Sequence, residues 1–545
     1  MIEKIGALWP EIILFAAACV VMVVGLSPTT SVRRLCAPLA GAALIVAGII
    51  AWFTTPVAHG PLPMLPLFGK TLVAGVGVLL ALLLAGTPDR EYESAIARGA
   101  AGYDPIRANR AEFWAFFLFS LTGAMLCAGA DDLIWLFLAL ELTSLPTYIM
   151  VAVSTARNRS MEAAVKYFFL GALGAAVFLY GFTMLYGGTG TTRLFAPVGE
   201  PSISSILAAQ ASGPGINAVA MTGLVLSFLG VCFKIAAVPM HFYTPDVYQG
   251  ASSAVAGFLA FVPKAAGIFT ILILAGAAGW WGASPVDAGG TLPQPLHQIV
   301  LIVAILTMSV GNALAVVQTS AKRILAYSSV AHSGYMLVGI VAGPGPANAP
   351  YTSNGIAAVL FYLLSYGVMN LGAFAVLASL ERRRADGSTE EADDVNDLKG
   401  LCATRPLLGW TLVLSAVGLL GLPPLLGFWA KLPLFTSAIS SNEIGLVIVL
   451  GLNSAVAAYY YLRLASVALL EAPDLTNDSV RVSPFPSRAV AGLASAVGIV
   501  LLAAWPLNQW AMQGGRYQRV EPLKAAEGER PARADVTGSA AAPLR

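Results

Sequence analysis

Charged residues are scarce in this chain: they make up 11% of its 545 residues, against about 25% in an ordinary soluble domain. Hydrophobic residues make up 57% and the mean hydropathy is +0.76. So few charges cannot coat the surfaces of the several soluble domains that this length would form. The composition therefore excludes a cytosolic enzyme, a nucleic-acid binder and a disordered scaffold. The net charge of +2 implies no polyanionic partner, which leaves an integral membrane protein.

The sequence also lacks clustered metal ligands and nucleotide-binding motifs. Its cysteines and histidines stand singly, with no CxxC pair and no spacing typical of zinc, iron–sulfur or haem sites. They are Cys19, Cys36, Cys127, Cys232, Cys402, His59, His241, His297 and His332. Neither GxGxxG nor GxxxxGK[ST] is present, so no dinucleotide or nucleoside triphosphate site is predicted. We expect this chain to bind no redox cofactor and no metal of its own.

Long apolar runs fill the chain instead, each of about 17–25 residues, long enough to cross a bilayer as a helix. Open sheets are excluded in lipid because their unpaired backbone groups cannot be hydrated there. The sequence thus predicts an all-α integral membrane protein with about fourteen transmembrane helices. The predicted spans lie near 10–26, 35–54, 66–86, 112–130, 132–152, 161–186, 217–241, 252–277, 296–319, 324–343, 354–380, 406–437, 444–470 and 488–510.

Basic residues separate the loops into two classes. They concentrate in the loops after odd-numbered spans. The loops that join an even-numbered span to the next span contain a single basic residue, Arg193. By the positive-inside rule the odd loops face the cytoplasm, and both termini are predicted to be periplasmic. Because one missed span would destroy this alternation, the pattern also supports the span count.

A few ionisable residues lie inside the predicted spans, where each isolated charge costs at least about 2.5–3.5 kcal/mol. The main ones are Glu141, Lys166, Lys234, Lys264 and Lys431. They must pair, touch water or face the interior of the bundle, and salt bridges between helices are one sufficient explanation. Lys166, only a turn or two from a cytoplasmic end, could instead extend its ammonium to the membrane surface. Since burial makes an ammonium easier to deprotonate, the same residues also suit a lateral proton relay.

Prolines interrupt two spans that carry a lysine. The seventh span contains Lys234 and then Pro239, and the twelfth contains Pro423 and Pro424 before Lys431. Proline inside a helix removes a backbone hydrogen bond and breaks or kinks the helix. Two broken helices five spans apart favour two internal repeats inverted in the membrane, an architecture common in transporters. Ordinary proline kinks without a repeat are the alternative.

The motifs at these residues resemble the antiporter-like subunits of respiratory complex I. They are ALELTSLPTYIMVA, AAVKYFFLGALGAAVFLYG, CFKIAAVPMHFYTPDVYQGA and KRILAYSSVAHSGYMLVG. The similarity covers most of residues 110–470, and the phrase HFYTPDVYQGA is most similar to N-type subunits. The chain departs from the family pattern at Ser252 and Ser253, at Tyr243, and at Pro263 just before Lys264.

The resemblance implies fourteen helices, inverted five-helix repeats over helices 4–8 and 9–13, and discontinuous helices 7 and 12. It places the family's membrane glutamate on Glu141 and its lysines on Lys234, Lys264 and Lys431. Lys166 matches a further lysine of N-type subunits, and His332 falls where relatives carry a polar relay residue, although a simply packed histidine is an alternative. The implied segments are 1–111 (helices 1–3 and a cytoplasmic loop), 112–278 and 279–470 (the repeats), 471–511 (helix 14) and 512–545 (a disordered tail).

The family implies a proton-translocating subunit of NADH-quinone oxidoreductase in the bacterial inner membrane. NADH, FMN, iron–sulfur clusters and quinone would then belong to other subunits, and the partners would be M-type and small core membrane subunits. A cation/proton antiporter subunit of the same superfamily remains an alternative, because it would need the same lysines. A membrane scaffold without conduction is a second alternative.

Overall fold

The computed structural model describes residues 2–54, 60–100, 102–104, 107–155, 158–197, 199–280, 290–346, 350–383, 389–473, 480–502 and 506–518. The described chain is mainly helical, and every predicted span has a helix at its position. The fourteen main helices are α1 (Trp9–Gly25), α2 (Cys36–Phe53), α3 (Leu65–Leu84), α4 (Arg110–Ala128), α5 (Leu133–Ala152), α6 (Asn158–Thr189), α7a (Ala218–Val231) with α7b (Thr244–Gly250), α8 (Ser253–Ala278), α9 (Gln294–Val316), α10 (Ala321–Ala342), α11 (Gly355–Ser379), α12a (Pro406–Leu420) with α12b (Leu426–Ser440), α13 (Ile444–Leu469) and α14 (Pro486–Leu501).

Length and composition confirm the membrane character of these helices. Ten helices of the described chain are long and apolar enough to span a bilayer, and α1, α7a, α12a and α14 are shorter apolar helices. Shorter elements precede, connect or follow them: helices Ile2–Ala7, Thr30–Arg33, Arg90–Ala97, Ile203–Ala211, Leu401–Thr404 and Pro506–Gly514, and 3-10 turns Tyr351–Ser353 and Val395–Leu398.

Three helices form the centre of the bundle. The apolar windows of α8, α10 and α11 are wholly buried, whereas only about a third of the windows of α6 and α13 is buried. A helix that is apolar all round and buried lies inside a large bundle, and a partly exposed apolar helix faces lipid or another subunit. Polar residues on α8, α10 and α11 are therefore shielded from lipid by the outer helices.

The loops after odd-numbered helices meet on one side, which we call the basic face. They surround an open cavity of roughly 670 Å³ whose walls include Thr87, Ser154, Gln249, Lys322 and Arg488. A small antiparallel sheet also lies there, in the order β2–β1–β3, formed by Leu380–Arg383 (β1), Thr389–Glu391 (β2) and Val480–Val482 (β3). Strands this short carry too little alternation to be read from a sequence.

The C-terminal segment is ordered somewhat further than we expected. Helix Pro506–Gly514 extends past residue 511, and Trp510 packs on Phe68 with ring centroids 4.1 Å apart. The backbone N–H of Gln518 donates to the carbonyl of Pro61 at 2.7 Å. Residues 519–545, most of the predicted tail, lie outside the described residues.

Candidate functional site

The break in helix 7 runs from residue 232 to residue 243 and includes Pro239. Proline has no N–H to donate to the carbonyl four residues earlier, which here belongs to Ile235. Side chains satisfy backbone groups of the break: the Tyr243 hydroxyl donates to Phe233 O at 2.8 Å, and Thr307 Oγ1 accepts from Val238 N at 3.0 Å. The break is therefore an ordered element that leaves backbone carbonyls available to side chains.

Lys234 lies within this break, beside two residues of α5. Its Nζ is 3.3 Å from Glu141 Oε1 and donates a short hydrogen bond to Ser144 Oγ. Lys234 is 3% exposed, whereas the Glu141 side chain is 20% exposed. The structure therefore brings the predicted glutamate and lysine together as an ion pair with one partner near the bundle surface.

Lys264 approaches the same break from α8, which continues unbroken through Pro263. Its Nζ donates to Ile235 O at 3.1 Å and to Ser333 Oγ of α10 at 2.9 Å. The carbonyl that accepts its proton is the one that Pro239 leaves without an intrahelical donor. Because Ile235 directly follows Lys234 in the chain, Lys264 contacts the same break of helix 7 that carries the ion pair.

Lys431 repeats this arrangement in helix 12, which is broken at residues 421–425. Its Nζ donates to Leu420 O at 2.7 Å and lies 5.1 Å from the ring centroid of Tyr335. Leu420 lies four residues before Pro424, so this carbonyl too is left without an intrahelical donor. In both broken helices a proline-freed carbonyl binds a buried lysine ammonium.

His332 lies on α10 between these two centres and is fully buried. Its Nδ1 is 2.6 Å from the Tyr362 hydroxyl of α11, and its Nε2 is 2.7 Å from the Tyr461 hydroxyl of α13. The next residue along α10, Ser333, contacts Lys264, and Tyr335 contacts Lys431. One buried helix therefore presents polar groups to both lysines of the repeats.

Lys166 is not part of this buried group. Its side chain is 45% exposed and pairs with Glu162 at 2.8 Å and with Asp246 of α7b at 3.2 Å. The three prolines that were predicted to interrupt helices, Pro239, Pro423 and Pro424, all lie in the two breaks. No three His, Cys, Asp or Glu side chains of the described residues are close enough together to hold a metal ion.

Sequence reasoning missed the hydroxyl groups that connect the ionisable residues. They are Ser144, Ser333, Tyr335, Tyr362 and Tyr461. The run SSVAHSGY in α10 carried a usable signal, because its polar residues at i, i+1, i+4 and i+5 fall on one side of an otherwise apolar span. The tyrosines carried no such signal, because an aromatic residue in a span is equally suited to lipid or to core packing.

Comparisons with known proteins identify the family of the chain. Residues 130–457 match the family model described as "NADH:quinone oxidoreductase/Mrp antiporter, TM". The chain is 33% identical over 498 residues to NADH-quinone oxidoreductase subunit N of Halorhodospira halophila, covering 90% of this chain and 94% of that one. It is 32% identical to the subunit of the same name from Nitrosomonas europaea, covering 91% and 95%. The chain belongs to the NADH-quinone oxidoreductase subunit N family.

Solved structures place this subunit N family member among membrane complexes. A chain of respiratory complex I from Thermus thermophilus with bound aureothin matches with a TM-score of 0.69 and 30% identity, covering 91% of this chain and 96% of that one. The Mrp complex from Dietzia contains a chain with the same fold, with a TM-score of 0.72 and 20% identity over 95% of this chain. This protein is thus a membrane subunit of a proton-translocating NADH-quinone oxidoreductase, built on a fold shared with antiporter complexes.

Proposed function

We propose that this subunit moves protons through a lateral relay of buried residues: Glu141, Lys234, Lys264, His332 and Lys431. One observation carries the proposal above all. In each repeat, a carbonyl freed by a proline in a broken helix binds a lysine ammonium, at 3.1 Å for Lys264 and 2.7 Å for Lys431. A carbonyl accepts a proton donor without adding a countercharge, so it orients each lysine and still allows its proton to leave.

The chemistry of the relay follows from electrostatics in a dry interior. A carboxylate 3.3 Å from an ammonium favours the charged form of that ammonium. Pairing with Glu141 would hold Lys234 protonated, and weakening the pair would release the proton toward Lys264 and on to Lys431. Lys431 would then be the exit or coupling residue. Lys166, at the edge of the bundle, would act through Asp246 on the position of α7b.

The wider setting is part of the same proposal. We place the protein in the bacterial inner membrane with the basic face in the cytoplasm and both termini in the periplasm. NADH oxidation, FMN, iron–sulfur clusters and quinone reduction would belong to other subunits of the complex. The partners would be the M-type and small core membrane subunits, together with the lipid bilayer, and no nucleic acid.

A Lys264→Ala variant of the whole complex tests the relay in sealed vesicles. We expect the complex to assemble and oxidise NADH in the presence of an ionophore, but to move fewer protons per NADH oxidised. Lys399→Ala is the matched control, because Lys399 pairs with Glu471 at 3.2 Å on the basic face. Undiminished pumping by assembled Lys264→Ala complex would refute the relay.

The alternative is a cation/proton antiporter subunit, which the family description also includes. It differs from our proposal in the other subunits with which the chain assembles. We expect the subunit to copurify with an arm that oxidises NADH. Purification of a stable complex that lacks such an arm and exchanges cations for protons would favour the antiporter.

A further inference from the structure

Lys431 is buried, yet it lacks the carboxylate partner that Lys234 has. Lys234 Nζ lies 3.3 Å from Glu141 Oε1, whereas no carboxylate of the described residues forms an ion pair with Lys431. The Lys431 ammonium has only the carbonyl of Leu420, at 2.7 Å, as a hydrogen-bond acceptor among the described contacts. Because a buried charge without a partner is costly, its protonated form needs a further stabilising group nearby.

The ring of Tyr335 on α10 is suited to this purpose. Its centroid lies 5.1 Å from Lys431 Nζ, within the roughly 6 Å over which a ring face attracts a cation. The attraction is larger where water is absent, and both side chains are buried. A ring face stabilises an ammonium but is no base, so it cannot take the proton from the lysine.

A buried network of three helices fixes the Tyr335 ring through its hydroxyl. Asn312 Nδ2 of α9 donates to the Tyr335 oxygen at 2.9 Å and to Asn453 Oδ1 of α13 at 3.1 Å. Asn312 Oδ1 accepts from the Tyr460 hydroxyl at 2.9 Å. Both ends of the Asn312 amide are therefore held, which fixes its orientation toward Tyr335.

We propose that Asn312 is a positioning residue, which holds the Tyr335 ring against Lys431 as an uncharged substitute for a carboxylate. The inference rests on the proposed function, because it assigns a partner to one lysine of the relay. A carboxylate can itself bind a released proton, whereas a ring face cannot. A neutral partner therefore suits a lysine that has to pass its proton on at the end of the relay.

No carboxylate is found among the titratable side chains that contact Tyr335 or Lys431 in the described part of the chain. The positive charge of Lys264, which contacts the same helix α10, opposes the charged form of Lys431. The remaining titratable neighbours are His332 and Tyr362, whose ring centroids lie 5.4 and 6.4 Å from that of Tyr335, and Tyr460, which is joined to it through Asn312.

The pH dependence of pumping tests this positioning role in the whole complex reconstituted in vesicles. Tyr335→Leu removes the ring that favours the protonated lysine. The protons moved per NADH oxidised should then fall off, as the pH rises, about one pH unit earlier than in the unchanged complex. Asn312→Leu and Tyr335→Phe keep a ring but release its position, so each should shift the profile in the same direction by less. Because both break the same hydrogen bond, the double variant should shift it no further.

Packing of the three helices is the competing explanation, and Tyr460→Phe is the matched control. This change removes a hydrogen bond from the same buried amide, while Asn453 continues to hold Asn312 Nδ2 beside Tyr335. We expect a lower melting temperature in detergent and an unshifted pH profile. A Tyr460→Phe profile that shifts as far as that of Asn312→Leu would mean that the network only packs the helices, and would overturn the inference.

Lys431→Ala separates this inference from the proposed function. If that variant pumps normally, the relay fails and the positioning role fails with it. If it loses pumping while Asn312→Leu and Tyr335→Phe keep the pH profile of the unchanged complex, only the positioning role is overturned. These two variants retain a ring at position 335, so they decide the question even if Tyr335→Leu does not assemble.

Discussion

At the scale of single residues, the Glu141–Lys234 pair has an unequal environment. Lys234 is almost fully buried, and the Glu141 side chain keeps 20% of its surface exposed. Removing one partner of a buried pair typically costs about 3–5 kcal/mol, because the remaining charge is left without a counterion. Replacing both partners by uncharged groups is often nearly neutral. The presence of the pair is therefore weak evidence for a role in stability.

This asymmetry makes a double-mutant prediction. We expect Glu141→Gln alone to lower the free energy of unfolding by about 3 kcal/mol, at the lower end of that range because the carboxylate is partly exposed. Glu141→Gln combined with Lys234→Met should recover most of that loss while pumping stays impaired. Denaturant unfolding of the purified subunit in detergent measures the stability cycle, and a double variant as unstable as the sum of the singles would contradict it.

The ionisable members of the site could be predicted from the sequence, and their hydroxyl partners could not. Glu141, Lys264 and Lys431 stand out because a charge in an apolar run is expensive and therefore rare. A serine such as Ser333 costs little in a helix, where it can donate to the carbonyl four residues earlier. The run SSVAHSGY indicates which side of α10 is polar, but it does not indicate which helix that side faces. Only the rotation of α10 against its neighbours decides that the Ser333 hydroxyl meets Lys264.

At the scale of elements, Gly421 shapes the break in helix 12. Its φ is +88°, and a Cβ there would lie 3.0 Å from Lys431 Cδ. A side chain in the left-handed region costs about 1–2 kcal/mol, and Lys431 would have to move away from Leu420 O. We expect Gly421→Ala to destabilise the subunit by about that amount and to reduce pumping.

Gly445 is the matched control for that change. It lies at the start of α13, and a Cβ there would meet nothing within 4 Å. Gly445→Ala should leave both pumping and the melting temperature in detergent unchanged. Equal effects of the two substitutions would mean that the geometry of the break does not position Lys431.

One carboxylate of the hairpin of β1 and β2 contacts two helices of the bundle. Glu391 Oε2 accepts from Ser253 N and Ser253 Oγ, both at 2.6 Å, and lies 2.8 Å from Lys322 Nζ. Burial alone would raise the pKa of Glu391, but the Lys322 ammonium and the Ser253 hydrogen bonds outweigh it and hold the pKa below its ordinary value. Glu391 thus joins the hairpin to the first turns of α8 and α10.

The lowered pKa fixes the sign of a pH effect. A carboxyl group whose pKa is lower in the folded state contributes stability above its ordinary pKa of 4.5, and that contribution is lost as the pH falls through the folded value. We expect the hairpin to become more sensitive to protease on acidification. Glu391→Gln should be more sensitive at neutral pH and change less with pH, and an identical acid response of both proteins would refute the link.

At the scale of the whole molecule, the order of charges along the chain predicted the architecture well. The fourteen apolar runs match the thickness of the lipid core, and the alternation of Arg-rich loops follows from the two sides of the membrane. Both constraints act on every span alike, so each span shows them in its own sequence. Contacts between distant segments escaped the same reasoning. The buried pair of Glu11 and Lys70, 2.8 Å apart, joins α1 to α3, and a position as close to the start of a span as that of Glu11 does not mark the residue as buried.

The number of helices and their orientation together predict which loops are accessible from each side of the membrane. Three helices, α4 to α6, separate the exposed residues Arg98 and Glu200, so these positions must face opposite sides of the membrane. In a background without the native cysteines, we expect Arg98→Cys to react with a membrane-impermeant maleimide only in inside-out vesicles. Glu200→Cys should react only in right-side-out vesicles. Labelling of both from one side would break the alternation of the spans, whereas exchange of the two sides would keep the fold and reverse its orientation in the membrane.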